Sequence, residues 1–403
     1  MNFSLKKIGP GLLFAGAAIG VSHLVQSTRA GADFGFGLIW ALLLVNLFKY
    51  PFFQFGPRYA SATGESLLEG YKKLGKPVLF AYFLLTFATM FTIQTAVTIV
   101  TAGIATSLFG AVFDVETWTV IILSICLLLL LVGKYKLLDK LIKIIIIVLT
   151  ISTITAVCFA LLGDIQMVTF KQILPENNLE IAFLIAFMGW MPAPLDISVW
   201  HSLWTIEKKK SSGEFLPKSA LFDFNVGYIG TIILGIAFVA LGALIMFNSG
   251  ATFSSSAGQF ANQLIDMYTT SLGNWAYIIV GVAAFTTMFS TTLTTLDASP
   301  RAMAKTTQLL TGRRFKKGYL FWILFLVSGT IVIFFFFASE MGLLIKVATI
   351  LSFLTAPFYA IINYILISSK HTPEDWRPSK GLHVLSILGI IFLLGFSVWY
   401  LIY

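Results

Sequence analysis

Gly16-Ala17-Ala18-Ile19-Gly20-Val21-Ser22-His23 and Gly189-Trp190-Met191-Pro192-Ala193-Pro194-Leu195-Asp196 are the two stretches whose reading decides the fold. Each breaks a hydrophobic segment near its middle. The first segment runs from Gly11 to about Ala30, the other from about Ile181 to Thr205. A helix interrupted at membrane depth leaves backbone N–H and C=O groups unpaired, and hydrocarbon cannot satisfy them. Such a break survives only where it lines a cavity or holds a ligand. Two breaks at corresponding positions in the two halves of a chain are the mark of a secondary transporter built from an inverted repeat.

The surrounding composition is that of a polytopic membrane protein. The 403 residues are 58% hydrophobic and only 11% charged, with mean hydropathy +0.89, where a soluble domain carries about a quarter charged residues. Lys6 and Lys7 before an apolar run resemble a signal peptide. Pro10 and the central glycines interrupt that run, however, and no small-residue cleavage site follows cleanly, so it reads as a span. Cys126 and Cys158 both fall inside apolar runs, which argues against a disulfide framework. No phosphate loop, no Gly-x-Ser-x-Gly elbow and no His/Cys set at zinc spacing is present, so nothing points to an enzyme or a bound cofactor.

Runs of about 18–25 apolar residues predict eleven spans, near 9–30, 35–57, 78–108, 117–134, 141–163, 180–205, 222–247, 273–297, 318–338, 343–367 and 382–402. Of the 27 basic residues, 23 fall before the first span or on the loops after the second, fourth, sixth, eighth and tenth. Only Arg29 and Lys171 fall on the other side; Lys49 and Lys346 lie within spans. The positive-inside rule therefore predicts a cytoplasmic N-terminus and an external C-terminus in the cell (inner) membrane. The net charge of +9 is thus topological and does not indicate a nucleic-acid partner. Because five is odd, spans one to five and six to ten run in opposite senses, each set opening on its broken helix. A single transporter domain over 1–403 follows, all-α, with 9–163 as the first inverted repeat, 180–367 as the second and 382–402 as an additional helix. Segment 248–272 is the longest external connection and 206–221 the longest basic internal one.

Polar groups deep in a span are functional candidates by default. His23, near mid-membrane, can coordinate a metal, relay a proton, donate to an anion, or bond a neighbouring carbonyl to fix the unwound turn. Ser22, Gln26, Ser27 and Thr28 suit either an outer vestibule or the cap of the second half-helix. Asp196, the only carboxylate well inside the sixth span, suits a cation ligand, a proton acceptor or an N-cap. His201 and Ser202 lie nearer the cytoplasmic end and do not share a helical face squarely with Asp196. Gln94 and the cluster Thr286, Thr287, Ser290 and Thr291 can close the cavity wall or serve as packing contacts. Lys49 can snorkel or pair with an acid. Asp297 and Arg301 form an i,i+4 pair or an inner gate, and Arg29, Glu340 and Lys346 an outer gate.

Several further stretches carry a family resemblance. These are Gly9-Pro10-Gly11-Leu12-Leu13, Arg29-Ala30-Gly31-Ala32, Phe34-Gly35, Trp40 with Val45-Asn46-Leu47, and Thr63-Gly64-Glu65-Ser66-Leu67. Leu108-Phe109-Gly110, Met191-Pro192, His201-Ser202 and Ser290 to Thr294 complete the set. In order and spacing the chain resembles the Nramp family of divalent-metal transporters, which implies a LeuT-type 5+5 inverted-repeat fold. The family's metal motif does not carry over. Its Asp-Pro-Gly-Asn at the first break meets Gly20-Val21-Ser22-His23, and its Met-Pro-His at the second meets Met191-Pro192-Ala193. Anchoring on His201-Ser202 instead puts the family His on Asp196, and both registers stay open. The family's acidic pair of the third span falls on Gln94 and Val97, so proton-driven manganese or iron uptake is expected to be weak or absent.

The expected site therefore comprises Gly20, Ser22, His23, Gln94, Met191, Ala193 and Asp196, with His23, Asp196 and Met191 as metal ligands and Arg29, Asp297 and Arg301 as gates. The expected substrate is a small solute, a divalent metal cation first by resemblance. A small organic solute or anion is the alternative in transport; a non-transporting membrane sensor or partner subunit is the alternative in another class. Beyond substrate and lipid bilayer, no partner is implied.

Overall fold

The computed structural model describes residues 9–110, 112–132, 135–162, 170–212, 216–247, 253–254, 256–337 and 341–402. Lys6, Lys7, Lys134 and Glu340 lie outside the described residues, and the side chains of Lys136, Lys140 and Lys143 are likewise not described. Helices occupy all eleven predicted spans. The first is split into α1 (Pro10–Ala18), a π-helical segment (Ser22–Ser27) and α2 (Thr28–Phe34). The next four are α3 (Ile39–Thr63), α5 (Lys76–Phe109), α6 (Val115–Val132) and α7 (Tyr135–Leu162). The sixth is split into α8 (Asn178–Trp190) and α9 (Ile197–Ser212). It is followed by α10 (Pro217–Ile245), α12 (Ala276–Thr311), α13 (Gly318–Phe337), α14 (Met341–Ser368) and α15 (Lys380–Ile402). Among the described residues, eight helices are individually long and apolar enough to cross a membrane, nine with the first span, whose two parts meet at 47°.

Two helices do not span, and both lie where loops are expected. α4 (Leu67–Leu74) starts on a capping box in which the Ser66 and Glu69 side chains each serve the other's backbone, the Ser-x-x-Glu pattern of a helix start. α11 (Ala257–Leu272) lies within the polar 248–272 connection. Its Phe260, Ala261, Leu264, Ile265 and Tyr268 are buried, so one apolar face docks while the Ser, Thr and Asn residues dilute the signal.

The half-helices are seated by glycines that admit a neighbouring backbone, the membrane substitute for hydrophobic collapse. A Cβ on Gly11 would come within 2.0 Å of Asp223 O, and one on Gly227 within 2.2 Å of Gly11 O, so α1 lies backbone-to-backbone on α10. On the other half, a Cβ on Gly189 would lie 2.1 Å from Thr349 O, which brings α8 equally close to α14.

Candidate functional site

At the first break α1 ends at Ala18, and its last carbonyls need partners. Ala15 O accepts from Ile19 N–H (2.7 Å), and Ala18 O from Gly20 N–H (3.0 Å) and from the Ser22 hydroxyl (2.5 Å). Gly16 O and Ile19 O are reached from another helix: the Thr291 hydroxyl of α12 lies 3.2 and 3.3 Å from them. Gly20 is what lets Thr291 in, since a Cβ there would sit 2.7 Å from its Oγ1. The far end of α1 is held as closely. Asp223 of α10 accepts from Gly9 N–H (3.0 Å) and Gly11 N–H (2.7 Å), placing a carboxylate at the positive end of the helix.

His23 follows in the π-helical turn, completely buried. Its Nε2 lies 2.9 Å from Thr231 O of α10 and its Nδ1 2.6 Å from Ser22 Oγ. The carbonyl requires a hydrogen on Nε2. Ser22 has one hydrogen and two acceptors, so it either serves Nδ1 or serves Ala18 O and receives from a doubly protonated ring. The ring can thus gain or lose a proton without losing a partner, but neither nitrogen is free to meet a metal.

At the second break α8 ends at Trp190, and Phe187 O accepts from Met191 N–H (3.2 Å). The carbonyls beyond it converge on one atom. Lys49 Nζ of α3 donates to Met188 O (2.7 Å), Gly189 O (2.8 Å), Met191 O (3.1 Å) and Ala193 O (3.3 Å). Lys49 is 0% exposed. It therefore does not snorkel, and it makes no ion pair among the described residues. Asp196 directly precedes α9, is buried, and its Oδ1 has no hydrogen-bond partner. Its electrostatic neighbours are Lys49, Tyr71, Tyr82 and Tyr359.

The remaining expected site residues have structural partners. The Met191 thioether packs toward α10, where a Cβ on Gly235 would lie 3.4 Å from its sulfur; Thr231, the partner of His23, lies one turn earlier. Gln94 ties α5 to α12, donating to Thr98 Oγ1 (3.2 Å) and Thr292 O (3.3 Å) and accepting from the Thr295 hydroxyl (2.8 Å). His201 stacks on Phe14, ring centroids 5.6 Å apart, with neither nitrogen hydrogen-bonded. The Ser202 hydroxyl accepts from Leu67 N–H of α4 (3.0 Å). Among the described residues no three His, Cys, Asp or Glu side chains form a metal-holding group.

Between the two breaks lies a cavity of about 20 Å³, lined by Ala18 and Ser22 of the first, Trp190 and Pro194 of the second, and Thr291 and Thr295 of α12 among others. That is room for about one water molecule. The two ends of the bundle differ. On the lysine-rich side Arg301 grips Asp297 through two bonds (2.7 and 3.1 Å), and Tyr319 donates to the same carboxylate (2.8 Å). Lys305 of α12 pairs with Glu69 of α4 at 2.8 Å. Burial works against the Glu69 charge, but Lys305 and Ser66 outweigh it and hold the carboxyl below its usual range. On the opposite side a cleft of about 390 Å³ opens between α2, α8 and α14, lined by Gln26, Arg29, Asp33, Glu180 and Lys346 among others.

Sequence reasoning missed Lys49 and Asp223 as partners of the broken helices. The only signal for Lys49 was its depth: the middle of a 25-residue helix with no acid one turn away. Asp223 sits just inside α10, where a charge at the end of a span is no signal of a special role.

The fold recurs in known proteins. A relative in Pasteurella multocida, described as an uncharacterized protein, is 38% identical over 401 residues, 98% of this chain and 91% of its own. An Eremococcus coleocola manganese transporter mutant superposes with TM-score 0.74 at 15% identity, over 97% of this chain and 85% of that one. MhsT in complex with L-phenylalanine gives 0.63 at 14%, over 96% and 98%. These likenesses make the fold LeuT-type. The description of the Nramp family, natural resistance-associated macrophage protein-like, matches residues 11–403, and with that coverage the chain belongs to the Nramp family of membrane transporters and is not an enzyme.

Proposed function

We propose that this chain is a secondary transporter that moves a small solute by alternating access, with the solute held between the two broken helices. The observation that carries this reading is the small cavity walled by both breaks at once, with ties on the lysine-rich side and a cleft on the other. The basic loops make the tied side cytoplasmic and put the N-terminus there. A divalent metal ion is the first substrate to test, because it is what the family brings, and the Asp196 carboxylate, whose Oδ1 has no hydrogen-bond partner, is the feature that suits it. A small organic solute is the second reading, favoured by the cavity walls: Trp190, Trp200, Ile93, Val97 and Ile197 against a few hydroxyls.

Ala18→Cys in a Cys126→Ala, Cys158→Ala background tests alternating access without knowledge of the substrate. A membrane-impermeant thiol reagent labels residue 18 in right-side-out and in inside-out vesicles if the cavity opens to each face in turn. Labelling from one face alone, across every solute and pH tried, would reduce the chain to a scaffold. Manganese and magnesium uptake into proteoliposomes then sorts the substrate classes.

A further inference from the structure

Among the described residues the Lys49 ammonium has no carboxylate within ion-pairing distance, yet it is completely buried. Burying a charge is costly unless the protein supplies its solvation, and here backbone oxygens supply it. Four carbonyls lie within 3.3 Å of Nζ, all from the end of α8 and the unwound stretch after it. An ammonium has three N–H groups to give, so two carbonyls take short bonds and the longer pair shares what is left. The C-terminal end of a helix carries partial negative charge. Unwound carbonyls at such an end are where transporters of this architecture place a coupling cation. A ring of carbonyls is also what a hard cation asks of a protein.

We propose that Lys49 is a built-in cation occupying the cation position of the second break, so that no free metal ion is held by those carbonyls while the ammonium is in place. This rests on the reading that solute is handled at the two breaks. It deepens that reading by assigning the cradle to a tethered charge and leaving free ions to bind there only by displacing it. Asp196 lies within electrostatic reach of Lys49. A residue that merely capped α8 would serve only carbonyls of its last turn, Met188 O to Trp190 O. Lys49 also gathers Met191 O and Ala193 O, which belong to no helix.

The test is Lys49→Ala in the full chain, purified in detergent, with methylammonium and Mn²⁺ as probes. Methylammonium, which reproduces the end of the lost side chain, raises the variant's melting temperature by about 1–2 °C at roughly ten times its dissociation constant. It leaves wild type unmoved, and choline, which has no N–H, moves neither. Mn²⁺ binds the variant at least about tenfold more tightly than wild type, a difference of about 1.4 kcal/mol. Equal Mn²⁺ binding by the two proteins, or a variant indifferent to methylammonium, overturns the proposal. If Lys49→Ala unfolds on extraction, methylammonium is supplied from solubilisation onward. Recovery of a monodisperse peak with it and not with choline then supports the proposal, and no recovery overturns it. None of these readouts involves transport. One-sided labelling of residue 18 would therefore sink the alternating-access reading and leave the role of Lys49 standing.

Discussion

Asp223→Asn isolates the anchor of α1. The first turn of that helix has few donors to satisfy: Pro10 has none, and Leu12 and Leu13 both donate to Gly9 O at 3.0 and 3.1 Å. The Gly9 and Gly11 N–H groups are left, and both go to the Asp223 carboxylate. Asparagine keeps the shape but has one acceptor oxygen, so one buried N–H faces an NH₂ group. A hydrogen bond to a charged group is worth about 1.5–3 kcal/mol, and the helix-end charge adds about 0.3–1 kcal/mol. The cost is therefore about 2–4 kcal/mol. At about 2.1 cal/mol/K per residue a chain of 403 residues loses roughly 2–5 °C in melting temperature. The assay is thermal unfolding of the purified chain in detergent, followed by tryptophan fluorescence. A variant within about 1 °C of wild type would show that α1 is not held by this carboxylate, and the argument built on its N-terminus would fall.

Three further substitutions address the other supports. Gly189→Ala places a methyl where only 2.1 Å separates it from Thr349 O and should abolish a monodisperse peak in size-exclusion chromatography, whereas Gly230→Ala, with open space around it, should leave the peak unchanged. Thr291→Val removes the hydroxyl that Gly16 O and Ile19 O share with Thr287 O of the same helix as Thr291; about 1–3 kcal/mol of stability is lost by thermal unfolding, and Thr291→Ser, which keeps the hydroxyl, retains most of it. Lys305→Ala frees α4 from α12 and should raise thiol labelling of Ala18→Cys from the lysine-rich side. Because the Glu69 carboxyl is held below its usual 4.5, the contribution of this tie is whole above that value and is lost as pH falls through the lowered one. Because thiol reactivity itself falls with acid, labelling of Ala18→Cys from that side is compared at each pH with and without Lys305→Ala. The rate with Lys305 present should approach that of the Lys305→Ala variant as pH falls, and a ratio independent of pH would remove Glu69 as the cause.

The spans and the two breaks were legible because each rests on local chemistry: apolar runs of bilayer length, and Gly or Pro where a run is broken. The eleven-helix layout follows from that alone, and the inversion from counting spans. α4 was legible in principle from Ser66-Leu67-Leu68-Glu69. α11 was not, because its buried face alternates with Gln, Asn and Thr. The site residues were legible as polar groups at depth, but their orientation was not. His23 turns to Thr231 O, a backbone contact that leaves no trace in sequence, and Gln94 turns to Thr292 O and the Thr295 hydroxyl of α12, about 200 residues away. Lys49 is the extreme case. All four of its partners are main-chain oxygens some 140 residues away, so no residue type could announce them.

The two breaks are satisfied by different kinds of group, and the difference bears on mechanism. Thr291 is neutral and returns one hydroxyl to the carbonyls of the first break, while Ser22 and His23 complete the turn from within the same segment. The second break takes its solvation from the Lys49 side chain of another helix. A neutral hydroxyl can be exchanged for water as α1 swings, at modest cost, since water replaces a hydrogen bond nearly in kind. An ammonium drawn away from its carbonyls must find an acid or water at once, or remain buried without solvation. The acid within electrostatic reach is Asp196, whose Oδ1 has no hydrogen-bond partner. Under the proposed alternating access, the first break is thus the less costly one to open, and the second stays with α3 for as long as Lys49 holds it. Any large excursion of α8 has to carry α3 along or transfer the ammonium to Asp196.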